Sequence, residues 1–233
     1  PHMAQKLSIP KEKWVYLHGG QDATDSWFIS ERKDIADSPA IKASVMDALR
    51  QAQLTLENVS FFDFYSCFPC MPHLHRLVLG IEHFDPRPMT LTGGLPYFGA
   101  PGSNYVMHSI AEVVDRCRIE PEKFGLITSN GWYCTKHSAG IYSCQNPTIT
   151  WNRTPPALFQ NRLSLPKSLE IDKAPSGSFL VDSYTVWFNR QGEPETGILI
   201  GRTESGKRAL AHTPKGNKDI LYTMMQKEWI GAK

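Results

Sequence analysis

The sequence predicts an α/β domain followed by a smaller, β-rich unit. Three patterns carry that expectation. Before about residue 155, short apolar runs of strand length alternate with stripes at helical spacing. Prolines at 147, 155, 156, 166 and 175 then punctuate a polar stretch. Beyond residue 179, three strand-like runs are separated by two turn signals. The expected organisation is a cloning remnant at 1–3, the α/β domain at 4–150, a Pro-rich linker at 151–178 that wraps a surface, and the β-rich domain at 179–233.

Each element has a local reason. Val15-Tyr16-Leu17 reads as the end of a strand. Ser38 is suited to an N-cap, and Pro39 to the first turn of the helix it opens. Ile41, Val45, Leu49 and Ala52 recur at spacings of 4, 4 and 3, the buried stripe of an amphipathic helix. Val59 to Tyr65 is short, aromatic and apolar, as a buried strand should be. Leu74, Leu77 and Val78 mark a short helix that stops at Gly80. Thr92-Gly93-Gly94 is a turn, and Val106, Ile110, Val113 and Val114 mark the next helix. Phe124–Thr128 and Ala139–Tyr142 are further buried strands. In the last segment, strands at Phe179–Phe188, Gly197–Arg202 and Arg208–His212 are joined by turns at Gln191–Pro194 and Ser205-Gly206. That is a β-meander, read as part of a partly open barrel, with a closing helix at Ile220–Met225.

Composition excludes several classes of protein. Of 233 residues, 41% are hydrophobic and 21% charged, enough apolar content to build a core and to rule out disorder of the whole chain. The net charge of +2 lacks the basic excess of a nucleic-acid binder. No apolar run reaches the length of a membrane-spanning helix, and no basic start precedes an apolar run as in a signal peptide. Five scattered cysteines, an odd number, are no disulfide framework, so a reduced, cytoplasmic setting is expected.

Four clusters carry candidate chemistry. Asp63-Phe64-Tyr65-Ser66-Cys67-Phe68-Pro69-Cys70 follows a buried strand, at the end where open α/β sheets bind ligands. Cys67 there reads as a nucleophile or, more plainly, as a small buried hydrophobe. Cys67, Cys70, His73 and His75 offer four metal-ligand types within nine residues. Their spacing is too short to wrap a tetrahedral ion, and residues 73 and 75 fall on different sides of a helix, so no metal is expected. Nor is a redox role expected of the C-x-x-C pair, despite Pro69, because no suitable context surrounds it in the sequence. The glycine-rich run Thr92 to Asn104 lacks both the Walker and the dinucleotide pattern, but precedes a helix whose first amides can hold an anion or oxyanion. Thr128-Ser129-Asn130-Gly131-Trp132-Tyr133-Cys134-Thr135-Lys136-His137 gathers polar and titratable side chains after a buried strand, in a loop that is either functional or simply solvated.

Taken together and in this order, these segments resemble the C-terminal half of the thiolase superfamily over about residues 5 to 145. Tyr65-Ser66-Cys67-Phe68 stands where thiolases carry Asn-Glu-Ala-Phe, or His-Asp-Cys-Phe in the sterol-carrier type. Gly93-Gly94 through Gly99-Ala100-Pro101 stands in place of Gly-Gly…Gly-His-Pro, and Ser129-Asn130-Gly131 in place of Cys-x-Gly-Gly-Gly. Val181–Val186 and Gly197–Arg202 resemble the extra C-terminal domain of thiolase-like proteins type 1, which is similar to an OB-type barrel. The resemblance implies acyl-CoA-related chemistry, of acetyl-CoA acetyltransferase type, with coenzyme A or acyl-CoA as substrate rather than as a tightly bound cofactor. It implies acid/base or nucleophilic roles for Cys67, Ser129 and His137, and substrate contacts at Tyr65, Gly99, Asn104, Asn130 and Gly131. The departures are equally specific. The nucleophile-bearing N-terminal half does not match any part of this chain, and Ala100 occupies the place of the general-base histidine. His137, taken to lie on a loop insertion, or His108 on the helix after the Gly-Ala-Pro turn, is the expected substitute, with His137 favoured. Thiolase halves pack as layers, so an isolated half is expected to expose an apolar face. The expected partner is an N-terminal half, on the same or a separate chain, or a second copy of this one. The non-catalytic alternative is a degenerate half that acts as a scaffold or binding partner.

Overall fold

The computed structural model describes residues 1–233, divided into two compact units. Unit 1 comprises Pro1–Trp27 and Ala36–Leu165. Unit 2 comprises Phe28–Ile35 and Pro166–Lys233. No helix is long and apolar enough to cross a membrane.

After a short helix α1 (His2–Lys6), unit 1 is built on a four-stranded sheet of β1 (Tyr16–Thr24), β2 (Val59–Asp63), β3 (Phe124–Gly131) and β4 (Lys136–Ser143). The spatial order is β1-β4-β3-β2. The β2–β3 pair is parallel and the other two pairs are antiparallel, so the sheet is mixed. Thus Tyr16 opens a strand rather than ending one. The strand is hidden in the sequence because Gly19-Gly20-Gln21-Asp22 shows no apolar alternation. Gly19 is there for contact: a Cβ at this position would run into the backbone carbonyl of Ala48 on the overlying helix.

That helix, α2 (Pro39–Ala52), begins as the sequence predicts, with Ser38 Oγ accepting from the Ile41 amide. Ile41, Val45 and Leu49 are buried, and α2 covers β1 and β4. With Phe62, Phe64, Leu126 and Ile141 it forms the main core. The next helix, α3 (Cys70–Leu79), ends at Gly80 in the left-handed region (φ 70°). Its buried face is Met71, His75 and Leu79, not the stripe through Leu74, Leu77 and Val78, and Leu77 is exposed. A histidine occupies the middle of the buried row, so the apolar periodicity alone pointed a quarter turn away.

Between Gly94 (φ 88°) and Gly99 (φ 80°) lies a single helical turn, α4 (Leu95–Phe98). Then α5 (Tyr105–Ile119) crosses the opposite face of the sheet, with Val113 and Cys117 packed on Ile127. Leu126 and Ile127 are neighbours in β3 that serve the two different cores, as the alternation of side chains along a strand requires. Residues 151–178, expected as a linker, contain α6 (Pro156–Asn161). Gln160 reads β1 as a missing strand would: its Oε1 accepts from Thr24 N at 2.7 Å and its Nε2 donates to Thr24 O at 2.9 Å.

Unit 2 holds an antiparallel sheet of β5 (Phe179–Phe188), β6 (Pro194–Thr203) and β7 (Arg208–His212), in that order, and then α7 (Lys218–Gln226). The meander and the closing helix follow the sequence reading. The sheet is open, with β5 and β7 at its edges; three strands are too few to close a barrel. Arg208 is fully buried and collects the distant pieces. It donates to Ser30 O (3.0 Å), Arg32 O (2.6 Å) and Asp182 Oδ2 (2.5 Å), so segment 28–35 is tied to β5 and β7.

Candidate functional site

The loops at the carboxyl ends of β2 and β3 are fixed by one buried carboxylate. Asp63, the last residue of β2, is fully buried. Its Oδ2 accepts from Leu91 N, Thr92 N and Thr92 Oγ1, each at 2.9 Å. Its Oδ1 accepts from Ser109 Oγ of α5 at 2.7 Å. The Thr92 hydroxyl also meets the Tyr105 hydroxyl at 2.6 Å. Four hydrogen bonds satisfy the buried charge and lock the Thr92–Gly94 turn to both the sheet and α5.

Around this clamp the sequence-predicted residues divide into groups. Tyr65 N donates to Thr128 Oγ1 (3.1 Å), and its ring meets Tyr105 edge-on at 5.2 Å. Ser66 Oγ accepts from Leu95 N at 3.2 Å, tying the first loop to the glycine-rich one. Asn130 Nδ2 lies 2.9 Å from Cys67 Sγ. Tyr65, Ser66, Cys67 and Asn130 therefore share one cluster. Gly131 ends β3 beside it. Gly99, Ala100 and Asn104 are exposed, and the Asn104 side chain makes no cap bond to α5. Burial pushes the Cys67 thiol up from its ordinary range, against the smaller opposing effect of the Asn130 hydrogen bond. Cys67 is accordingly a thiol at neutral pH, not a preformed thiolate nucleophile.

Ser129 and His137 do not join this cluster as a catalytic pair. They lie on opposite faces of the sheet, because their register positions alternate: Ser129 pairs with Ser138, and Asn130 with His137. Ser129 Oγ is 2.5 Å from Ser138 Oγ and lines a cavity of about 330 Å³ on the α5 side, with Val106, Ile110, Tyr142 and Trp151. His137 is no loop residue. It is the second residue of β4, and buried. Its Nε2 lies 3.2 Å from Cys134 O and 3.4 Å from Asp25 Oδ2, and both oxygens require it to carry the proton. Asp25 also accepts from Ser38 Oγ (2.5 Å) and Ala40 N (3.0 Å) at the head of α2. Burial works to raise the Asp25 carboxyl pKa, but the bonds from His137, Ser38 and Ala40 outweigh it and hold it below its ordinary value. The His137–Asp25 pair is thus a core fastening. Of the two candidate histidines, His108 is the one beside the loops, its ring 5.5 Å from Phe98 and 6.3 Å from Tyr105.

Cys70 and His73 are exposed, whereas His75 is fully buried in the core, stacked on Phe64 at 4.9 Å with its Nδ1 donating to Met71 O at 2.8 Å. The four metal-ligand types of this stretch therefore do not face a common point. Asp25 was missed in the sequence, since it stands in no motif, and Asp63 opens the first candidate cluster without its clamping role being legible there. The signal available for Asp63 was only its place at the end of a buried strand.

Residues 159–233 match the family described as thiolase-like protein type 1 additional C-terminal domain. The chain is 39% identical to a monomeric SCP2-thiolase like protein type 1 (STLP1) from Mycobacterium smegmatis, whose crystal structure it matches with a TM-score of 0.85 over 98% of this chain. It spans 50% of that protein's length. The peroxisomal 3-ketoacyl-CoA thiolase of Saccharomyces cerevisiae is similar at 15% identity and a TM-score of 0.45, over 60% of this chain and 36% of that one. No curated protein sequence matches. The chain belongs to the thiolase superfamily, on the branch of thiolase-like protein type 1.

Proposed function

We propose that this chain acts as the C-terminal half of a thiolase-like acyl-CoA protein and supplies one wall of its acyl-thioester site. The observation that carries the reading is the joining of three loops at the carboxyl ends of β2 and β3. Ser66 receives the Leu95 amide, and Asn130 reaches Cys67. Such ends are where open α/β sheets take ligands. Tyr65, Cys67, Asn130 and Gly131 line the site, and Gly99, Asn104 and the first turn of α5 face the thioester carbonyl. The chain positions the substrate rather than attacking it. Ala100 moves no proton, Cys67 is held as a thiol, and the Ser129 hydroxyl is engaged by Ser138.

The nucleophile then comes from an N-terminal half, on the same polypeptide or a partner. The half-length match to a monomeric relative supports the first of these. The face that receives it is the α5 side, where the exposed Leu17 and Trp151 line the 330 Å³ cavity. The alternative, a non-catalytic scaffold, rests on Ala100 at the base position. Calorimetric titration of coenzyme A and acetyl-CoA into this chain joined to its N-terminal half tests the proposal. Binding that weakens at least tenfold in Asn130→Ala supports the acyl-site reading. Absence of binding by the complete assembly overturns it and leaves the scaffold.

A further inference from the structure

Cys67 and Cys70 are the two cysteines that lie close together in the chain. Cys70 is exposed, Cys67 and Cys144 are half-buried, and Cys117 and Cys134 are buried. Read along the chain, this C-x-x-C pair has no redox context; the fold supplies one. β2 ends at Asp63, and the pair straddles the turn that opens the ten-residue helix α3. Met71 N donates to Phe68 O at 3.0 Å, and Pro69 is helical (φ −57°, ψ −28°). That hydrogen-bonded turn spans Phe68–Met71 and so begins between the two cysteines, and the chain also bends at Cys67 and Phe68. A disulfide needs Cα atoms within about 7 Å, and bending of the four-residue segment from Cys67 to Cys70 brings its ends toward each other. The two sulfurs also sense each other, since Cys70 adds to the rise of the Cys67 thiol that burial begins. A C-x-x-C pair between a strand and a helix of an α/β sheet is a pattern of exchange chemistry rather than of structural bridging.

We propose that Cys67 and Cys70 form a reversible internal disulfide, making this turn a thiol–disulfide exchange site for low-molecular-weight disulfides such as glutathione disulfide. Cys70, the exposed member, attacks as thiolate. Its sulfur bonds to one glutathione sulfur, the glutathione S–S bond breaks, and one glutathione leaves as thiolate. Cys67 then gives its proton to solvent and attacks the Cys70 sulfur, and the second glutathione leaves. Two protein thiols lose two electrons, and one disulfide becomes two thiols that take up the released protons. Closure draws Cys67 Sγ away from Asn130, so the loop cluster has a reduced and an oxidised form. This inference does not depend on acyl binding.

The test is incubation of the reduced full chain in glutathione redox buffers, acid quenching, alkylation after denaturation and peptide mass mapping. The expected product is one peptide that has lost two hydrogens and in which neither Cys67 nor Cys70 is alkylated, with Cys117, Cys134 and Cys144 all alkylated. Cys67→Ser should hold a persistent glutathione adduct on Cys70. Cys70→Ser, at an exposed position, should slow modification of Cys67 at least tenfold. A wild-type chain that accumulates the Cys70 adduct without closing, or that closes Cys67 or Cys70 onto another cysteine, overturns the proposal.

Discussion

His75 lies wholly inside unit 1, flat against Phe64, and its surroundings decide its charge. Burial, joined by the nearby His137, lowers its pKa from 6.5 to about 3, against the opposing bond to Met71 O. The folded state therefore resists a proton that the unfolded chain takes up near pH 6.5. The stability this residue contributes is fully present above pH 6.5 and is lost as pH falls from there toward 3. The expected loss is about 1.4 kcal/mol for each pH unit in that window. Urea unfolding of the wild type and of His75→Phe at pH 7, 6 and 5 checks this. The variant, which keeps the stack, should lose stability with acid less steeply by one proton. Equal slopes would show that His75 binds its proton in both states. The same residue marks a limit of sequence reading. It stands next to two cysteines and a second histidine at a spacing that argues against a metal, but its actual partner is the Phe64 ring just beyond β2, which no spacing reveals.

Elements in unit 1 are fixed where backbones approach closely. Gly19 of β1 sits beneath the Ala48 carbonyl of α2, with no room for a Cβ. Because the obstacle is backbone, Gly19→Ala must lift the helix from the sheet. It should cost about 1–3 kcal/mol, read as a lower urea midpoint, with faster hydrogen exchange in α2 and β1. An unchanged midpoint would mean that the helix has slack. Helix α2 was the most legible element, since its N-cap, first-turn proline and buried stripe are all local. β1 was the least legible, because Gly19 answers to the later helix α2 and Gly20 to Ala139 and Trp151, far along the chain. His137 was misplaced for a related reason. Read alone, Trp132 to His137 is a polar loop, but positive φ at Trp132 and Cys134 turns the chain within four residues, and β4 has already begun at Lys136.

At the scale of the whole molecule, unit 2 is assembled from segments remote in sequence. Arg208 holds segment 28–35 through two backbone carbonyls and shares Asp182 with Arg202. Arg208→Leu strands those carbonyls in a dry site. Removing one member of a buried pair costs about 3–5 kcal/mol, with the lower figure expected here because Asp182 keeps Arg202. Limited proteolysis should then cut first within 28–35, and resistance equal to the wild type would refute this role for Arg208. The exposed α5 face of unit 1 belongs to the same scale. Leu17 and Trp151 are exposed there, and it is the surface on which the proposed N-terminal half would pack.

By itself the sequence determined what short-range physics controls. This includes the α/β character, the capped helix α2, the β2 and β3 strands, the meander of unit 2, and the order of motifs that marks the superfamily. Only the tertiary structure decided which side of the sheet each polar residue serves. Ser129 and His137, close in the chain, end on opposite faces because strand side chains alternate about a register that the turn sets. Asp63, Asp25 and Arg208 found their roles in the same way. A buried charge is defined by the donors gathered around it, and those donors come from parts of the chain that meet only when it folds.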